Sequence, residues 1–163
     1  MGVEGSGKTT VGKLLAQSLG WIFVDADNFH SASNIDKMSR GISLGDADRA
    51  PWLRAIHDSI VDQAGKGRNV VLACSALKQK YRDQLGQGTE LKLIYLKGSF
   101  SLFYSRLQKR QAHFARETLL SSQFASLEET SDAVVIDASL PVTEIVEQIR
   151  SRVVLPNGTA RDE

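Results

Sequence analysis

Short apolar runs alternate along the chain with longer segments in which apolar residues recur at helical spacing. The short runs are rich in β-branched residues, and they predict four strands, at residues 21–24, 69–73, 91–96 and 133–136. Strands separated by helical segments are typical of βαβ units. We therefore predict an α/β fold in which a parallel sheet is covered by helices on both faces.

Apolar stripes and helix-stopping residues mark five helical segments. The first, at about residues 8–19, ends at Gly20, a residue suited to a left-handed helix stop. The second is predicted to begin at the N-cap Asp48, with Pro51 in its first turn, and to end at Gly65. The other three are predicted at about residues 77–85, 100–113 and 142–149.

Length and composition describe one globular domain. The chain has 163 residues, of which 42% are hydrophobic and 24% charged, and this length is too short for two ordinary domains. We expect a single domain over residues 1–154. Residues 155–163 have almost nothing to bury, so a disordered tail is expected there.

The charge balance excludes some classes of function, and the single cysteine indicates the cellular compartment. The formal net charge is +1, so no overall positive field gathers nucleic acid or an anionic membrane surface. No apolar run approaches the length of a membrane span, and the N-terminus lacks the pattern of a signal peptide. Cys74 is the only cysteine and cannot form an internal disulfide. We expect a cytoplasmic protein with no nucleic-acid or membrane partner.

The residues from Gly2 to Thr9 match the phosphate-binding pattern G-x-x-x-x-G-K-[ST] at every required position. The glycines let backbone N–H groups curl around a phosphate, Lys8 reaches the β and γ oxygens, and Thr9 offers its hydroxyl to Mg²⁺. A chance glycine-rich turn is the alternative, but a helical stripe begins immediately afterwards, as phosphate binding at a helix N-terminus requires. The sequence therefore predicts a P-loop NTPase-type fold that binds ATP or GTP. The predicted nucleotide-binding residues are Gly2, Gly5, Ser6, Gly7, Lys8, Thr9 and Thr10.

The phosphate loop normally follows a buried strand, and here only Met1 precedes Gly2. In a doubly wound sheet that strand lies centrally, where it pairs with two neighbours and anchors the loop. We therefore expect a sheet whose N-terminal strand is missing or truncated. The chain is then either a shortened version of a longer protein or compensates in another way.

Two carboxylates, Asp25 and Asp27, follow the first predicted strand. Residues spaced by two on an extended segment point to one face, so both can look into the cleft at the carboxyl end of the sheet. One is suited to hold Mg²⁺ through water, and the other to accept a proton from an attacking hydroxyl. The alternative is a polar turn that leads into a helix, and His30 is on the same grounds more readily structural than catalytic.

Basic residues recur at helical spacing in two places. Lys78 and Arg82 are spaced i, i+4 after a strand end, so they are expected to share a helix face that suits an anion. Arg106, Arg110 and His113 share another face, in the part of the chain where small kinases carry a mobile lid. Lid arginines are suited to stabilise charge on a transferring phosphoryl group. In both places the alternative is a basic helix face exposed to solvent.

Several longer runs resemble gluconokinases of the short, shikimate kinase-like type, over residues 1–149. The most specific are Cys-Ser-Ala-Leu-Lys at residues 74–78 and Asp-Arg-x-Pro-Trp-Leu at residues 48–53. The resemblance implies ATP-dependent phosphorylation of D-gluconate at its 6-hydroxyl, which gives 6-phosphogluconate for the pentose phosphate pathway. The other runs that carry it are residues 1–8, 25–30, 34–38, 95–98, 110–114 and 122–124.

The resemblance also gives roles to residues by matching position. Lys8 and Thr9 would serve the ATP phosphates and Mg²⁺, and Asp25 suits the metal shell. Residues 113–116 read His-Phe-Ala-Arg where the family commonly has His-Phe-Met-Pro, so the lid, at about residues 106–128, is expected to close differently. Asp27 would face the sugar hydroxyl as base or orienter. The residues expected around gluconate are Asp27, His30, Arg49, Lys78, Arg82 and His113, and the lid arginines, counted as catalytic, are Arg106 and Arg110.

Two alternatives to an active gluconate kinase stay open on the sequence. Another small-molecule P-loop kinase, acting on shikimate or adenylyl sulfate, would share the phosphate loop and the paired aspartates but not the two specific runs. The second alternative is that the chain is not an enzyme but a truncated form that binds nucleotide weakly. The resemblance further implies a homodimer whose substrate is a small molecule.

Overall fold

The computed structural model describes residues 1–109 and 115–153, so the predicted tail at residues 155–163 and lid residues 110–114 lie outside the described residues. No helix among the described residues is long and apolar enough to span a bilayer. The described helices are α1 (Lys8–Leu19), α2 (Ala32–Ser39), α3 (Asp46–Gly65), α4 (Gln79–Gly86), α5 (Phe100–Gln108), α6 (Ala115–Ser126) and α7 (Val142–Val153). The described strands are β1 (Ile22–Asp25), β2 (Val70–Ala73), β3 (Ile94–Lys97) and β4 (Val134–Asp137), and a short 3-10 helix, Ala26–Phe29, follows β1.

The four strands pair in parallel, as predicted, but in two separate two-stranded sheets. In the first sheet β1 lies beside β2, with Asp25 opposite Ala73. In the second sheet β3 lies beside β4, with Ile94 opposite Val134. Helices connect the strands of each pair, as parallel strands require. The α/β prediction is confirmed, while the described residues form a divided sheet and not a continuous one.

A slot separates β2 from β3, and among the described residues only Met1 and Gly2 bridge it. The Met1 nitrogen donates to the Ile94 carbonyl, and the Leu96 N–H donates to the Met1 carbonyl at 3.0 Å. On the other side the Gly2 N–H donates to the Ser75 carbonyl at 3.2 Å. These two residues therefore join the sheets where the phosphate loop begins. We call the space between the strands the β2–β3 slot.

Apolar side chains are buried in two clusters. The larger joins α1, α5 and α7 to β3 and β4, and it contains Phe103 and Ile136, each 1% exposed. The smaller joins α3 and α4 to the end of β2 and contains Trp52 and Ile56. Val3 of the phosphate loop lies in the larger cluster, so that core anchors the loop.

The predicted N-cap at Asp48 is wrong, because α3 begins earlier, after the N-cap Gly45. Asp48 lies in the first turn of α3, where its carboxylate accepts the Gly45 N–H at 2.9 Å. It still satisfies an N-terminal amide, in the manner of a capping box. Helices α2 and α6 were not predicted. α2 begins after Ser31, whose hydroxyl accepts the Asn34 N–H at 3.2 Å.

Candidate active site

The phosphate loop runs from Gly2 to the first turn of α1 and bends at glycines. Gly2 and Gly5 have φ angles of 147° and 80°. A Cβ on Gly2 would lie 2.9 Å from Ser6 Oγ and 3.0 Å from the Leu96 carbonyl oxygen. A Cβ on Gly5 would lie 2.9 Å from the Phe103 carbonyl oxygen. Both positions therefore require glycine, and the loop has the curvature that a phosphate-binding backbone needs.

The N-terminus of α1 faces the loop without a side-chain cap. Its N-cap, Gly7, has a φ of 95° and no side-chain hydrogen bond, and the first turn contains no acidic residue. The first N–H groups of a helix have no acceptor within the helix, so those of Lys8, Thr9 and Thr10 are suited to a phosphate. The Ser6 hydroxyl is also buried, with no hydrogen-bond partner among the described residues. This donor set fits the phosphates of a nucleotide.

The Lys8 side chain folds back over the loop. Its Nζ donates to the Val3 carbonyl at 2.9 Å. Burial lowers the pKa of Lys8 below its usual value, and the negative charge of Asp27 opposes that shift. A lysine held in this way places its charge at the phosphate-binding backbone, as the motif requires.

The structure brings together the two residues predicted to hold Mg²⁺. Thr9 Oγ1 donates to Asp25 Oδ2 at 3.0 Å, and Asp25 Oδ1 accepts the Asp27 N–H at 3.1 Å. Asp27 itself is exposed. A hydroxyl and a carboxylate fit Mg²⁺, which takes few protein ligands and completes its shell with water and phosphate oxygens. Within the described ranges no cluster of three or more His, Cys, Asp or Glu side chains is placed to hold a metal alone.

His30 is held as a flat ring against Trp52 of α3. The two ring centroids are 4.7 Å apart and the planes differ by 3°. Trp52 Nε1 in turn donates to the Ala26 carbonyl at 2.7 Å, which ties α3 to the 3-10 helix. Burial lowers the pKa of His30, with Asp27 opposing the shift and Arg49 reinforcing it. His30 Nδ1 has no hydrogen-bond partner in the described part of the chain, so the neutral ring keeps one nitrogen for a further hydrogen bond.

Charged side chains gather where α3 and α4 begin. The Asp46 carboxylate accepts hydrogen bonds from Lys80 at 2.6 Å, from Lys78 at 3.3 Å and from the Tyr81 hydroxyl. These bonds, the one from Lys80 most strongly, hold the pKa of Asp46 well below its usual range. The Arg49 guanidinium lies 5.7 Å from the centre of the Tyr81 ring. We call these five residues the cation cluster. Its three cations face one carboxylate, so it suits a further anion.

Arg82 is buried beside this cluster, with 6% of its surface exposed. Its Nη1 donates to the carbonyls of Ala76 and Leu77 at 2.9 and 3.0 Å, and its Nη2 donates to Gln79 Oε1 at 2.8 Å. Among the described residues Ala76 is the only non-glycine with a positive φ, 44°. Arg82 therefore fixes the strained segment that precedes Lys78. Its predicted contact with substrate stays a prediction.

Helix α6, within the predicted lid, packs onto the site. The Glu4 N–H of the phosphate loop donates to Gln123 Oε1 at 2.7 Å. The Ser43 hydroxyl donates to the Ser122 hydroxyl at 3.0 Å. α6 therefore links the phosphate loop to the segment that leads into α3.

The predicted lid cations are only partly described. Arg106 Nη2 donates to the Ala138 carbonyl at 2.7 Å, directly after β4. This bond holds α5 against the end of the second sheet. Arg110 and His113 lie outside the described residues, and their roles stay predictions.

Cys74 directly follows β2 and is 5% exposed. Burial raises the pKa of its thiol to about 11. A thiol in this environment is almost entirely protonated at neutral pH, so Cys74 is a packing residue and not a nucleophile.

The chain is similar to known proteins over most of its length. A probable gluconokinase from Mus musculus is 46% identical over 164 residues, which cover 86% of this chain and 89% of the relative. The crystal structure of a gluconokinase from Sinorhizobium meliloti has 40% identity and a TM-score of 0.81, covering 91% of this chain and 85% of that chain. The crystal structure of a sugar kinase from Janibacter sp. has 39% identity and a TM-score of 0.88, covering 96% and 92%.

A family model described as shikimate kinase matches residues 4–154. The parallel α/β fold, the phosphate loop and the carboxylates at the end of β1 define a P-loop kinase. Within that class the chain belongs to the gluconokinase family. The resemblance and the kinase class predicted from the sequence are thereby confirmed.

Proposed function

We propose that this kinase transfers the γ-phosphoryl group of ATP to the 6-hydroxyl of D-gluconate and releases 6-phosphogluconate. Two of the similar proteins are named as gluconokinases, which supports this substrate. One observation carries the proposal: the His30 ring, three positions after Asp27, stacks on Trp52 of α3 with ring centroids 4.7 Å apart. This stack joins the segment that carries Asp27 to the helix whose start holds Asp46 and Arg49 of the cation cluster.

The residues beside the phosphate loop divide the chemistry of phosphoryl transfer. The loop N–H groups and Lys8 bind phosphate oxygens and stabilise the charge that develops on them. Thr9 and Asp25 would hold Mg²⁺, which when bound neutralises charge on the β- and γ-phosphates. Asp27, an exposed carboxylate at the same strand end, accepts the proton of the attacking hydroxyl.

The cation cluster supplies the recognition of a sugar acid. Lys78 and Lys80 are positioned by Asp46, and the gluconate carboxylate joins or displaces that internal carboxylate. His30 and Arg49 offer hydrogen bonds to the hydroxyl groups of the polyhydroxylated chain. A sugar alcohol of the same length lacks the carboxylate and is therefore a poor substrate.

The resemblance also supports a compartment, an oligomeric state and a pathway for the enzyme. We place the enzyme in the cytoplasm, as a homodimer whose product enters the pentose phosphate pathway. Arg106, Arg110 and His113 would complete the site from the lid.

An ADP-release assay with a panel of acceptors tests the proposal. We expect turnover with gluconate and Mg²⁺, and at most background rates with shikimate, adenylyl sulfate or the alcohol glucitol. Phosphorus-coupled NMR of the product should place the phosphate on O6. The Lys8→Ala variant, which loses charge stabilisation but no core packing, sets the background rate. Equal turnover of gluconate and glucitol, or faster turnover of shikimate, would contradict the proposed substrate.

A further inference from the structure

The start of α4 sets the position of Lys78 in the cation cluster. Lys78 is the N-cap of this helix, with extended φ and ψ angles of −99° and 147°. Its Nζ lies 3.3 Å from Asp46 Oδ1, and its side chain is 28% exposed. A lysine side chain has only hydrogen-bond donors, so Lys78 cannot accept the N–H groups that the first turn of α4 leaves free. An acceptor from another part of the chain can therefore fix where this helix begins.

Glu128, just after α6, supplies that acceptor. Its Oε2 accepts the N–H of Gln79, the first residue of α4, at 2.6 Å. Its own N–H donates to the Leu77 carbonyl at 2.9 Å. Glu128 therefore bonds the backbone on both sides of Lys78, although it lies 49 positions after Gln79 in the chain. We call this pair of hydrogen bonds the Glu128 clamp.

Arg82 holds the same segment from within α4. Its guanidinium donates to the Leu77 carbonyl at 3.0 Å and to Gln79 Oε1 at 2.8 Å. Leu77 and Gln79 are therefore each held twice, by Arg82 and by the Glu128 clamp. Since both neighbours of Lys78 are fixed, its Cα has a defined place, and so does the region that its flexible side chain can reach.

The segment that carries Glu128 is itself anchored on both sides. Leu127 packs against the larger hydrophobic cluster. The Glu129 carboxylate accepts a hydrogen bond from Lys97 Nζ at 2.9 Å and one from the Tyr95 hydroxyl at 3.4 Å, both at β3. The backbone of Glu128 is therefore a fixed support, and the clamp ties the start of α4 to β3 and to the larger cluster.

The clamp lies at the surface, where it contributes more to position than to stability. Glu128 and Gln79 are both exposed. Water competes for exposed hydrogen-bonding groups, so the net contribution of such a bond to folding is small. A substitution at Glu128 should therefore leave the protein folded while it frees the first turn of α4 to shift.

We infer that Glu128 is a positioning residue for the acidic end of the substrate, because its clamp fixes the backbone from which Lys78 reaches the gluconate carboxylate. This inference rests on the proposed function, in which Lys78 binds that carboxylate. Glu128 acts through Lys78 and not by contact with the substrate. The carboxylate and the 6-hydroxyl are at opposite ends of gluconate, so Lys78 binds the ground state and the transition state about equally. Loss of the clamp is therefore expected to change KM and not kcat.

Steady-state kinetics of Glu128→Ala and Glu128→Gln test this role. Alanine removes the acceptor for the Gln79 N–H, and we expect the KM for gluconate to rise about fivefold or more, with kcat and the KM for ATP nearly unchanged. Glutamine keeps an amide oxygen at the same place and should restore most of the affinity. Glu144→Ala is the matched control and should leave both constants unchanged. Glu144 is another exposed glutamate that accepts a hydrogen bond, from Gln148 Nε2 at 3.3 Å.

A double-mutant cycle with Lys78→Met tests whether Glu128 acts through Lys78. In the Lys78→Met chain the proposed contact with the carboxylate is absent, so adding Glu128→Ala should change the KM for gluconate by less than about twofold. Hydrogen exchange of the Gln79 amide reports the clamp itself and needs no substrate. We expect this amide to exchange about tenfold faster or more in Glu128→Ala, and at nearly the original rate in Glu128→Gln.

Failure of this inference is distinguishable from failure of the proposed function. If the unsubstituted chain does not phosphorylate gluconate, the proposed function fails and the inference fails with it. If that chain phosphorylates gluconate but Glu128→Ala keeps its KM, only the inference is overturned. A fall in kcat at unchanged KM has the same consequence, since a merely structural residue would lower the fraction of folded enzyme and not its affinity.

The remaining results decide whether the clamp acts in the way inferred. A rise in KM of equal size with and without Lys78→Met would mean that Glu128 acts independently of Lys78, and would overturn the inference. Exchange of the Gln79 amide that is unchanged in Glu128→Ala would refute the clamp. A Glu128→Gln variant as impaired as Glu128→Ala would refute the hydrogen bond to Gln79 as the cause.

Discussion

At the scale of single residues, Lys78 and Arg82 show how differently two neighbouring cations are used. Their i, i+4 spacing suggests a shared helix face, but Lys78 is the extended N-cap of α4, so only Arg82 is helical. Lys78 reaches the cation cluster, whereas the Arg82 guanidinium is buried against backbone carbonyls. Because Ala76 has the strained φ of 44°, the bonds from Arg82 are what hold the turn before Lys78 in place.

These environments predict different effects for two like substitutions. Arg82→Met leaves buried carbonyls unpaired, so the free energy of unfolding should fall by about 2–4 kcal/mol in a urea melt. In the proposed complex Lys78 makes a charge-assisted bond to the substrate carboxylate, so Lys78→Met should raise the KM for gluconate about tenfold or more, with the KM for ATP and the stability nearly unchanged. If Arg82→Met instead raised the KM for gluconate at full stability, Arg82 would contact the substrate as the resemblance implies.

Asp27→Asn keeps the shape of the side chain but removes its ability to accept a proton. We expect kcat to fall about 100-fold or more, with a small change in the KM for ATP, in steady-state assays with gluconate. Asp36→Asn, on the exposed surface of α2, is the matched control and should leave kcat unchanged. An unaltered kcat in Asp27→Asn would move the role of base away from this residue.

Site residues could be predicted from the sequence where local backbone structure positions them. Those that depend on contacts between distant elements could not. Thr9 was predicted from the phosphate-loop motif and Asp25 from the resemblance, and the two meet because a helix N-terminus and a strand end share one edge of a parallel sheet. Asp46 was not predicted, since its partners Lys80 and Tyr81 are 34 and 35 positions away and belong to another helix. No local pattern at Asp46 signals that contact.

At the scale of elements, the observed ends of a helix or strand depend on the elements that pack or pair with it. α1 was predicted at its observed bounds because its apolar stripe and Gly20 act locally. The third strand was predicted at residues 91–96 but is observed at Ile94–Lys97. Leu91 and Lys92 border the β2–β3 slot, whereas the Leu93 carbonyl still accepts the Val134 N–H of β4 at 2.8 Å. α2 has few apolar residues, and its clearest signal was the Ser31 cap.

The stack of His30 on Trp52 predicts a pH-dependent contribution to stability. Because the folded-state pKa of His30 lies below its unfolded value of about 6.5, the unfolded chain binds more protons in this range. The contribution is present above about pH 6.5 and is lost as the pH falls through the folded-state pKa. Urea midpoints at about pH 7.5 and pH 5 should therefore differ less in His30→Phe than in the unsubstituted chain. An equal difference in the two proteins would contradict this contribution of His30.

At the scale of the whole molecule, the two hydrophobic clusters carry different parts of the site. Val3 ties the phosphate loop to the larger cluster, while Trp52, beneath His30, belongs to the smaller one. The loop is connected to the part of the molecule that holds the smaller cluster by the hydrogen bonds of Met1 and Gly2 and by those of α6. ATP and gluconate bound as proposed would therefore contact groups anchored in both clusters.

This arrangement predicts that ligands stabilise the protein as a whole. MgATP at 100 times its Kd should add about 2.7 kcal/mol to the free energy of unfolding, and gluconate should add a further increment. Lys8→Ala should remove most of the gain from MgATP in thermal melts. Lys13→Ala, an exposed lysine on the same helix, should keep it. Identical melts with and without MgATP would contradict nucleotide binding by this loop.

The rate at which the buried thiol of Cys74 is chemically labelled reports how often the end of β2 unfolds locally. With a pKa of about 11 and 5% exposure, it reacts with an aromatic disulfide reagent only while the end of β2 is transiently uncovered. Since the chain has a single cysteine, the labelling trace should be one exponential whose rate reports that uncovering. MgATP bound at the neighbouring loop should lower the labelling rate. Denaturant should raise that rate to the value for a free, exposed thiol. Labelling as fast in buffer as in denaturant would mean that β2 is not protected by the fold.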